Sequence, residues 1–501
     1  MAKTTLDKDL KKVTRLQTAT GELSRSVALP GLAVLFLVAV TLFATQVVAE
    51  GPLAVYAIAG ALVAGYLALN IGANDVANNM GPAVGGKALP MAWALVIAAV
   101  CEAAGAILAG GEVVSTVSKG IITPPPDMGA VDFILVMTAA LFAAAVWINL
   151  ATVVGAPVST THSIVGAVLG AGAAAAGFGV VAWPTLGAIA LSWVISPVMG
   201  GVVAAALLAL IKAAILFRED RIAAARFWVP LLIGLMCGVF TLYMASKGLS
   251  RVWSPSAGVV WTLASGLFAA GWALARPWVL RRSALMENRR KEVSRLFVLP
   301  LILAAGLLSF AHGANDVANA VGPLAAIVSA AQTGSSAPGS VVLPLWVLAI
   351  GAIGISLGLA LFGPRLIRTV GEKITKMDAM RAYCVAQAAA ITVLVASTLG
   401  LPVSSTHIAI GGIFGVGLLR EVLTNRGIRR RPNGGVMIDP ALMTEGWDDP
   451  GQAEKREKRR LVRRRHAWGI AAAWVITVPA AGLLAAALHL ALSLLTSGLN
   501  T

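Results

Sequence analysis

The stretch Gly72-Ala-Asn-Asp-Val-Ala-Asn-Asn-Met-Gly-Pro82 sets a carboxylate, Asp75, and three amides, Asn74, Asn78 and Asn79, in the middle of apolar sequence. It recurs 241 residues later as Gly313-Ala-Asn-Asp-Val-Ala-Asn-Ala-Val-Gly-Pro323, changed at two of eleven positions. A central Asp in a membrane segment costs about 2.5–3.5 kcal/mol on insertion scales, so such residues mark functional sites. Meeting that cost twice, with the same residues in the same order, predicts two halves that build one site. A second duplicated segment agrees. Gly155-Ala-Pro-Val-Ser-Thr-Thr-His162 returns 245 residues later as Gly400-Leu-Pro-Val-Ser-Ser-Thr-His407.

The surroundings are those of a membrane. Of the 501 residues 58% are hydrophobic and 12% charged, gathered into repeated runs long enough to span a bilayer as helices. No period-two alternation suggests an outer-membrane barrel. The net charge of +16 does not indicate nucleic acid, because the basic residues cluster in a few loops beside apolar runs, as cytoplasmic loops do. Cys101, Cys237 and Cys384 all lie in apolar runs and read as packed thiols, without disulfide or metal spacing. The expected fold is an all-α polytopic membrane protein. It has two inverted-topology repeats whose interrupted half-helices meet near the bilayer midplane.

The boundaries follow from hydropathy and charge. Residues 1–52 form a cytoplasmic N-terminal arm and an extra membrane helix from Val27 to Val48. Repeat one covers 53–216, with apolar runs at 53–71, 90–110, 130–154, 155–176 and 184–216. A linker, 217–295, holds two further helices and a basic loop containing Arg281, Arg282, Arg289, Arg290, Lys291 and Arg295. Repeat two covers 296–419 and resumes at 466–501, around a basic insertion at 420–465. If 217–227, 280–295 and 420–465 are all cytoplasmic, repeat one starts outside and ends inside, and repeat two does the reverse. That is the arrangement of many secondary transporters. It places the chain in the cytoplasmic membrane, with the N-terminus inside and the C-terminus outside.

The chemistry follows from residue types. Pro157 and Pro402 suit the first turn of a helix, where the missing N–H costs nothing. The hydroxyls of Ser159, Thr160 and Thr161, and of Ser404, Ser405 and Thr406, would then join the free N–H groups of that turn. Such a helix end is a ready anion site, above all for phosphate or sulfate. Asp75 and Asp316 would repel a bare anion, so they fit if they bind a coupling cation or a proton. Asn74, Asn78, Asn315 and Asn319 offer carbonyl oxygens to a hard cation and N–H groups to an oxyanion; Na⁺ is placed at Asp75, Asn78, Asp316 and Asn319. The plainer alternative is that Asn and Ser glue helices together. His162 and His407 suit either a satisfied cap or a substrate contact. His312 faces Ile71 in the repeat alignment and Glu102 faces Ile355; both break the symmetry. Glu102 is a candidate coupling residue.

The paired Gly-Ala-Asn-Asp-Val-Ala-Asn and Pro-Val-Ser-(Thr/Ser)-Thr-His segments resemble those of the inorganic phosphate transporter (Pit) family, over about 53–216 and 296–496. The resemblance implies symport of inorganic phosphate with sodium or protons, held between two inverted repeats. It carries over to Asn74, Asp75, Asn78, Ser159, Thr160, Thr161 and their second-half partners, and Glu102 matches a glutamate of the family. Where several relatives have Glu or Gln before the Pro-Val-Ser segments, this chain has Ala386 beside Gln387, and Ile148 beside Asn149. No cofactor is expected beyond Na⁺ or H⁺ as the coupling ion. The expected partners are inorganic phosphate and the lipid bilayer, with no nucleic acid and a homodimer as a candidate assembly. The alternatives are a sulfate or other tetrahedral oxyanion carrier and, in another class, an anion channel. A membrane enzyme is disfavoured because no nucleophile–base–orienter set appears.

Overall fold

A computed structural model describes residues 27–156, 158–249, 253–336, 343–369, 377–425, 428–430, 436–438 and 464–499. The N-terminal arm, Pro157 and most of the 420–465 insertion lie outside the described residues. Among the described residues fifteen α-helices carry the fold. Residues 53–216 hold α2 (Ala54–Gly85), α3 (Met91–Ala109), α4 (Gly111–Lys119), α5 (Ala130–Val154), α6 (Thr160–Ala176) and α7 (Trp183–Ile211). The extra helix α1 (Val27–Val47) precedes them. The linker holds α8 (Arg221–Tyr243), α9 (Ala257–Ser283) and α10 (Arg290–Leu296). After the linker come α11 (Val298–Thr333), α12 (Leu345–Thr369), α13 (Ala379–Thr398), α14 (Ser405–Asn425) and α15 (Arg464–Leu499). The departures from an all-helical fold among the described residues are a short antiparallel strand pair, Ile428–Arg430 with Val436–Ile438, and a single bridge between Ile122 and Val181. Among the described residues twelve helices are long and apolar enough to cross a membrane. Large apolar side chains such as Leu35, Val194, Leu274 and Leu483 point outward, as lipid contact requires.

One expectation is corrected. The Gly-Ala-Asn-Asp segments do not interrupt helices; they lie inside α2 and α11, continuous helices of 32 and 36 residues. Their glycines are there for approach rather than for a break. A Cβ on Gly72 would overlap the carbonyl of Ile355 on α12, and one on Gly313 would overlap the carbonyl of Glu102 on α3. Small residues let membrane helices pack this closely. The Pro-Val-Ser segments are true breaks. Gly155 ends α5 and Gly400 follows α13, both in the left-handed region that suits glycine. A second difference is α4, a nine-residue helix where hydropathy indicates only loop.

Contacts between the halves come in exchanged pairs. As α2 rests on α12 at Gly72, so α11 rests on α3 at Gly313. Gly105 meets the Phe310 carbonyl, and Gly358 meets the Leu69 carbonyl. Gly170 packs on Gly482 of α15, and Gly415 packs on Gly201 of α7. Two apolar cores result, and α2 and α11 run through both. Ile71 and Val317 belong to one core, Val76 and Ala314 to the other. The duplicated polar segments lie between the two cores.

The basic loops at 217–227 and 280–295 meet. Arg221 N donates to Asn288 Oδ1 at 3.0 Å, Asn288 donates to the Glu219 carbonyl at 2.6 Å, and Arg226 bonds Ser283. This joins the two ends of the α8–α9 pair. Arg290 reaches Asp378 at 3.4 Å, which brings the start of α13 to them.

Candidate functional site

The two breaks are held from the long helices by one repeated device. Asn74 Nδ2 donates to Thr152 Oγ1 (2.9 Å) and the Ala156 carbonyl (3.4 Å), while its Oδ1 accepts from Val158 N (3.4 Å). Asn315 does the same in the other half, with Ser397 Oγ (2.9 Å), the Leu401 carbonyl (3.2 Å) and Val403 N (3.1 Å). A break in a helix exposes backbone groups that must be satisfied in an apolar medium, and one amide satisfies them at each break. Ser159 and Ser404 then cap α6 and α14, accepting from His162 N (3.1 Å) and His407 N (3.3 Å).

These caps bring the two helix N-termini together. Thr161 of α6 donates to the Val403 carbonyl before α14 at 3.1 Å. The rings of His162 and His407 lie 4.5 Å apart, and Trp193 stacks on His162 at 3.7 Å while donating to the Pro402 carbonyl. Against these ends stand the carboxylates. Thr160 Oγ1 lies 3.0 Å from Asp75 Oδ2 and 2.9 Å from Asp316 Oδ2, so a side chain of α6 bridges α2 and α11. Thr406 Oγ1 donates to Asp75 Oδ1 at 2.9 Å and accepts from Asn78 at 2.7 Å. Asn319 reaches Thr160 and Thr161 at 3.4 and 3.3 Å. Every one of these groups is buried except Trp193, which is half-buried.

The electrostatics are incomplete. A hydroxyl has one proton, so Thr160 serves only one of its two carboxylates at a time. Like unit charges about 4 Å apart repel by roughly 4 kcal/mol at an effective dielectric of 20. His312 stands beside both, its Nε2 3.6 Å from Asp75 and 3.5 Å from Asp316, with Nδ1 3.3 Å from Glu102 Oε1. Atoms of Asp75, His312 and Asp316 that could ligate a metal all lie within 4.8 Å of one another. Asp316 Oδ1, Asn319 Oδ1 and Ser405 Oγ are buried with no hydrogen-bond partner among the described residues. Such a group costs about 1–3 kcal/mol unless something else satisfies it. Two of the three are pure acceptors, as a hard cation requires.

The structure therefore brings Asp75, Asn78, Thr160, Thr161, Asp316, Asn319, Thr406, His312 and Glu102 into one cluster. It commits Asn74 and Asn315, at both ends of the amide, to the breaks. Asn149 pairs with Asn70 at 2.9 Å, and Gln387 is buried on α13 with an unpartnered carbonyl oxygen. Sequence reasoning passed over Thr152 and Ser397, although they share the 245-residue offset of the Pro-Val-Ser segments. Trp193 also holds the second break, through the Pro402 carbonyl. Thr116 of α4 does so too, donating to the Gly400 carbonyl at 2.7 Å.

Residues 71–485 match the model of the phosphate transporter family. The chain is 43% identical to a Helicobacter pylori protein named "Putative phosphate permease", across 97% of this chain and 98% of that one. A Thermococcus kodakarensis protein of the same description is 38% identical, covering 71% of this chain and 87% of its own. A solved structure titled "The sodium-dependent phosphate transporter" superposes with a TM-score of 0.75 at 33% identity, covering 88% of this chain and 99% of that one.

Proposed function

This chain belongs to the phosphate transporter family, and from that premise we propose that it is a sodium-coupled symporter of inorganic phosphate working by alternating access. The observation that carries the reading is the bridge of Thr160 between Asp75 and Asp316, at the point where the N-termini of α6 and α14 meet. Helix N-termini favour an anion, and the carboxylates favour a cation. Side by side, each site offsets the charge of the other, so the two ligands bind better together than apart. That mutual dependence is what coupling requires.

Phosphate sits at the α6 and α14 ends, against Thr160, Thr161, Ser405 and Thr406. Sodium sits at Asp75 with Asn78 and at Asp316 with Asn319. Asn74, Asn315, Ser159 and Ser404 shape the two helix starts. Sodium is preferred to the proton because a solved structure that this chain resembles at 33% identity is titled "The sodium-dependent phosphate transporter". The exchanged contacts between halves support inverted repeats at 53–216 and 296–496, and the meeting of the basic loops at 217–227 and 280–295 supports a cytoplasmic location for them.

The test is uptake of radiolabelled phosphate into proteoliposomes under an imposed sodium or proton gradient, with sulfate as competitor. Accumulation driven by sodium and resistant to sulfate is expected. Accumulation driven by protons alone would overturn sodium coupling and leave phosphate transport standing. Equal competition by sulfate would overturn the substrate.

A further inference from the structure

Away from the buried carboxylates, positive charge gathers around the start of α13. Asp378 caps that helix, its Oδ1 accepting from Arg381 N at 3.0 Å. Its other oxygen is shared by two guanidinium groups, Arg381 at 3.0 Å and Arg290, the first residue of α10, at 3.4 Å. Arg420 of α14 is near enough for its charge to bear on both Arg381 and Lys212. Lys212 follows α7 directly and opens a π-turn, Lys212–Leu216. Four cations from four separate elements thus converge. Even with Glu421, the neighbour of Arg420, counted in full beside Asp378, four positive charges meet two carboxylates.

Lys212 is the member that the protein leaves unanswered. Its side chain is half-buried, with no hydrogen bond and no carboxylate partner among the described residues. The charges that act on it are those of Arg290, Arg381 and Arg420, all positive. A lysine at the end of a membrane helix ordinarily carries its ammonium out along an apolar stem to water or headgroups. Here it shares its surroundings with guanidinium groups, and that of Arg381 is itself only 13% exposed. Like charges brought together out of bulk water repel, and an anion with several acceptor oxygens relieves that repulsion.

The surroundings say which anion. Lys212 lies near the end of an apolar span, Trp183–Leu216. The exposed side chains beside it in sequence and beside Arg420 are hydrocarbon: Leu210 on α7, and Leu418 and Val422 on α14. A free ion needs no such border. A lipid does, since its chains must lie on apolar helix surface while its headgroup meets the cations. Basic pockets between membrane helices at the cytoplasmic side take anionic headgroups in this way.

We propose that Lys212, Arg290, Arg381 and Arg420 form a binding site for the phosphate group of an anionic lipid, whose acyl chains lie along α7 and α14. The bound lipid ties the base of the α13–α14 hairpin to the end of α7 and to α10 of the linker. The site uses no residue of the duplicated segments, and it holds whichever cation drives transport.

The experiment is thermal unfolding of the full-length chain in neutral detergent without sodium, titrated with dioctanoyl phosphatidylglycerol, dioctanoyl phosphatidylcholine or inorganic phosphate. Phosphatidylglycerol should raise the midpoint of the wild type, and the other two should not. Lys212→Met removes the charge from an unbranched stem. Arg290→Gln removes one at a half-exposed position, where folding is not at stake. Each variant should need roughly tenfold more phosphatidylglycerol, or beyond, for the same rise, as loss of one charge-assisted contact implies. The double variant Arg289→Gln, Lys291→Gln removes two exposed charges from the same loop and should titrate like the wild type. An equal loss in that double variant would mean diffuse attraction, and unchanged titration in Lys212→Met and Arg290→Gln would mean lipid bound elsewhere; either result overturns the site. Stabilisation of the wild type by inorganic phosphate, abolished in both single variants, overturns the lipid as its occupant.

Discussion

Replacing Thr160 by Val removes the one hydroxyl that bridges the two duplicated carboxylates and keeps the branched shape at the start of α6. The hydroxyl lies 3.0 Å from Asp75 and 2.9 Å from Asp316, and among the described residues His312 also lies beside both. It has one proton, so the variant loses one donated bond to a charged acceptor, not two. Such bonds are worth about 1.5–3 kcal/mol. At 1.4 kcal/mol per tenfold this is roughly a 10- to 150-fold loss in apparent sodium affinity. The contact from Asn319, at 3.4 Å, adds little. Sodium titration of phosphate uptake in proteoliposomes reads the effect directly. Thr392→Val is the control, since that buried hydroxyl donates only to the Ala388 carbonyl of its own helix, and it should leave uptake within about a factor of two. A Thr160→Val protein that melts like the wild type and half-saturates with sodium within threefold of it would refute the role given to this bridge.

Three other outcomes follow from the same structure. Asp75→Asn and Asp316→Asn should each abolish sodium-driven accumulation while leaving a folded protein, and retention of uphill uptake with unaltered ion dependence would make both carboxylates structural. Gly72→Ala should lower the thermal midpoint strongly, because the new methyl group meets the Ile355 backbone and overpacking of this kind costs about 1–3 kcal/mol, whereas Gly258→Ala, with open space around it, should be neutral or slightly stabilising. Single cysteines placed at 284–289 and in the 420–465 insertion should be labelled from the same side of the membrane, and labelling from opposite sides would defeat the inverted arrangement.

Much of the site was legible because membrane sequence is so apolar that each polar residue stands out. Asp75, Asp316 and Glu102 needed no tertiary structure to be noticed, since a carboxylate at membrane depth is costly wherever it lies. Duplication then pointed to shared use. Helix positions were legible for the same reason: the expected runs at 90–110 and 130–154 became α3 and α5 almost residue for residue. What failed was the inference from composition to backbone. Gly, Asn and Pro in one short stretch indicate a break, but at Gly72 and Gly313 the glycines serve helix approach, and the helices continue.

By itself the sequence determined the membrane class, the two halves and the set of polar residues from which any site must be drawn, because the cost of burying such groups in hydrocarbon is a property of the residue. Only the tertiary structure decided how that set divides. Asn74 and Asn78 are chemically the same and one helical turn apart, yet one is consumed by the backbone of a broken helix and the other faces the carboxylates. Glu102 and His312 are 210 positions apart, and nothing in either segment announces the other. Their meeting depends on α3 crossing α11 at Gly313, and a crossing is fixed by packing across the whole helix pair, which no local pattern encodes.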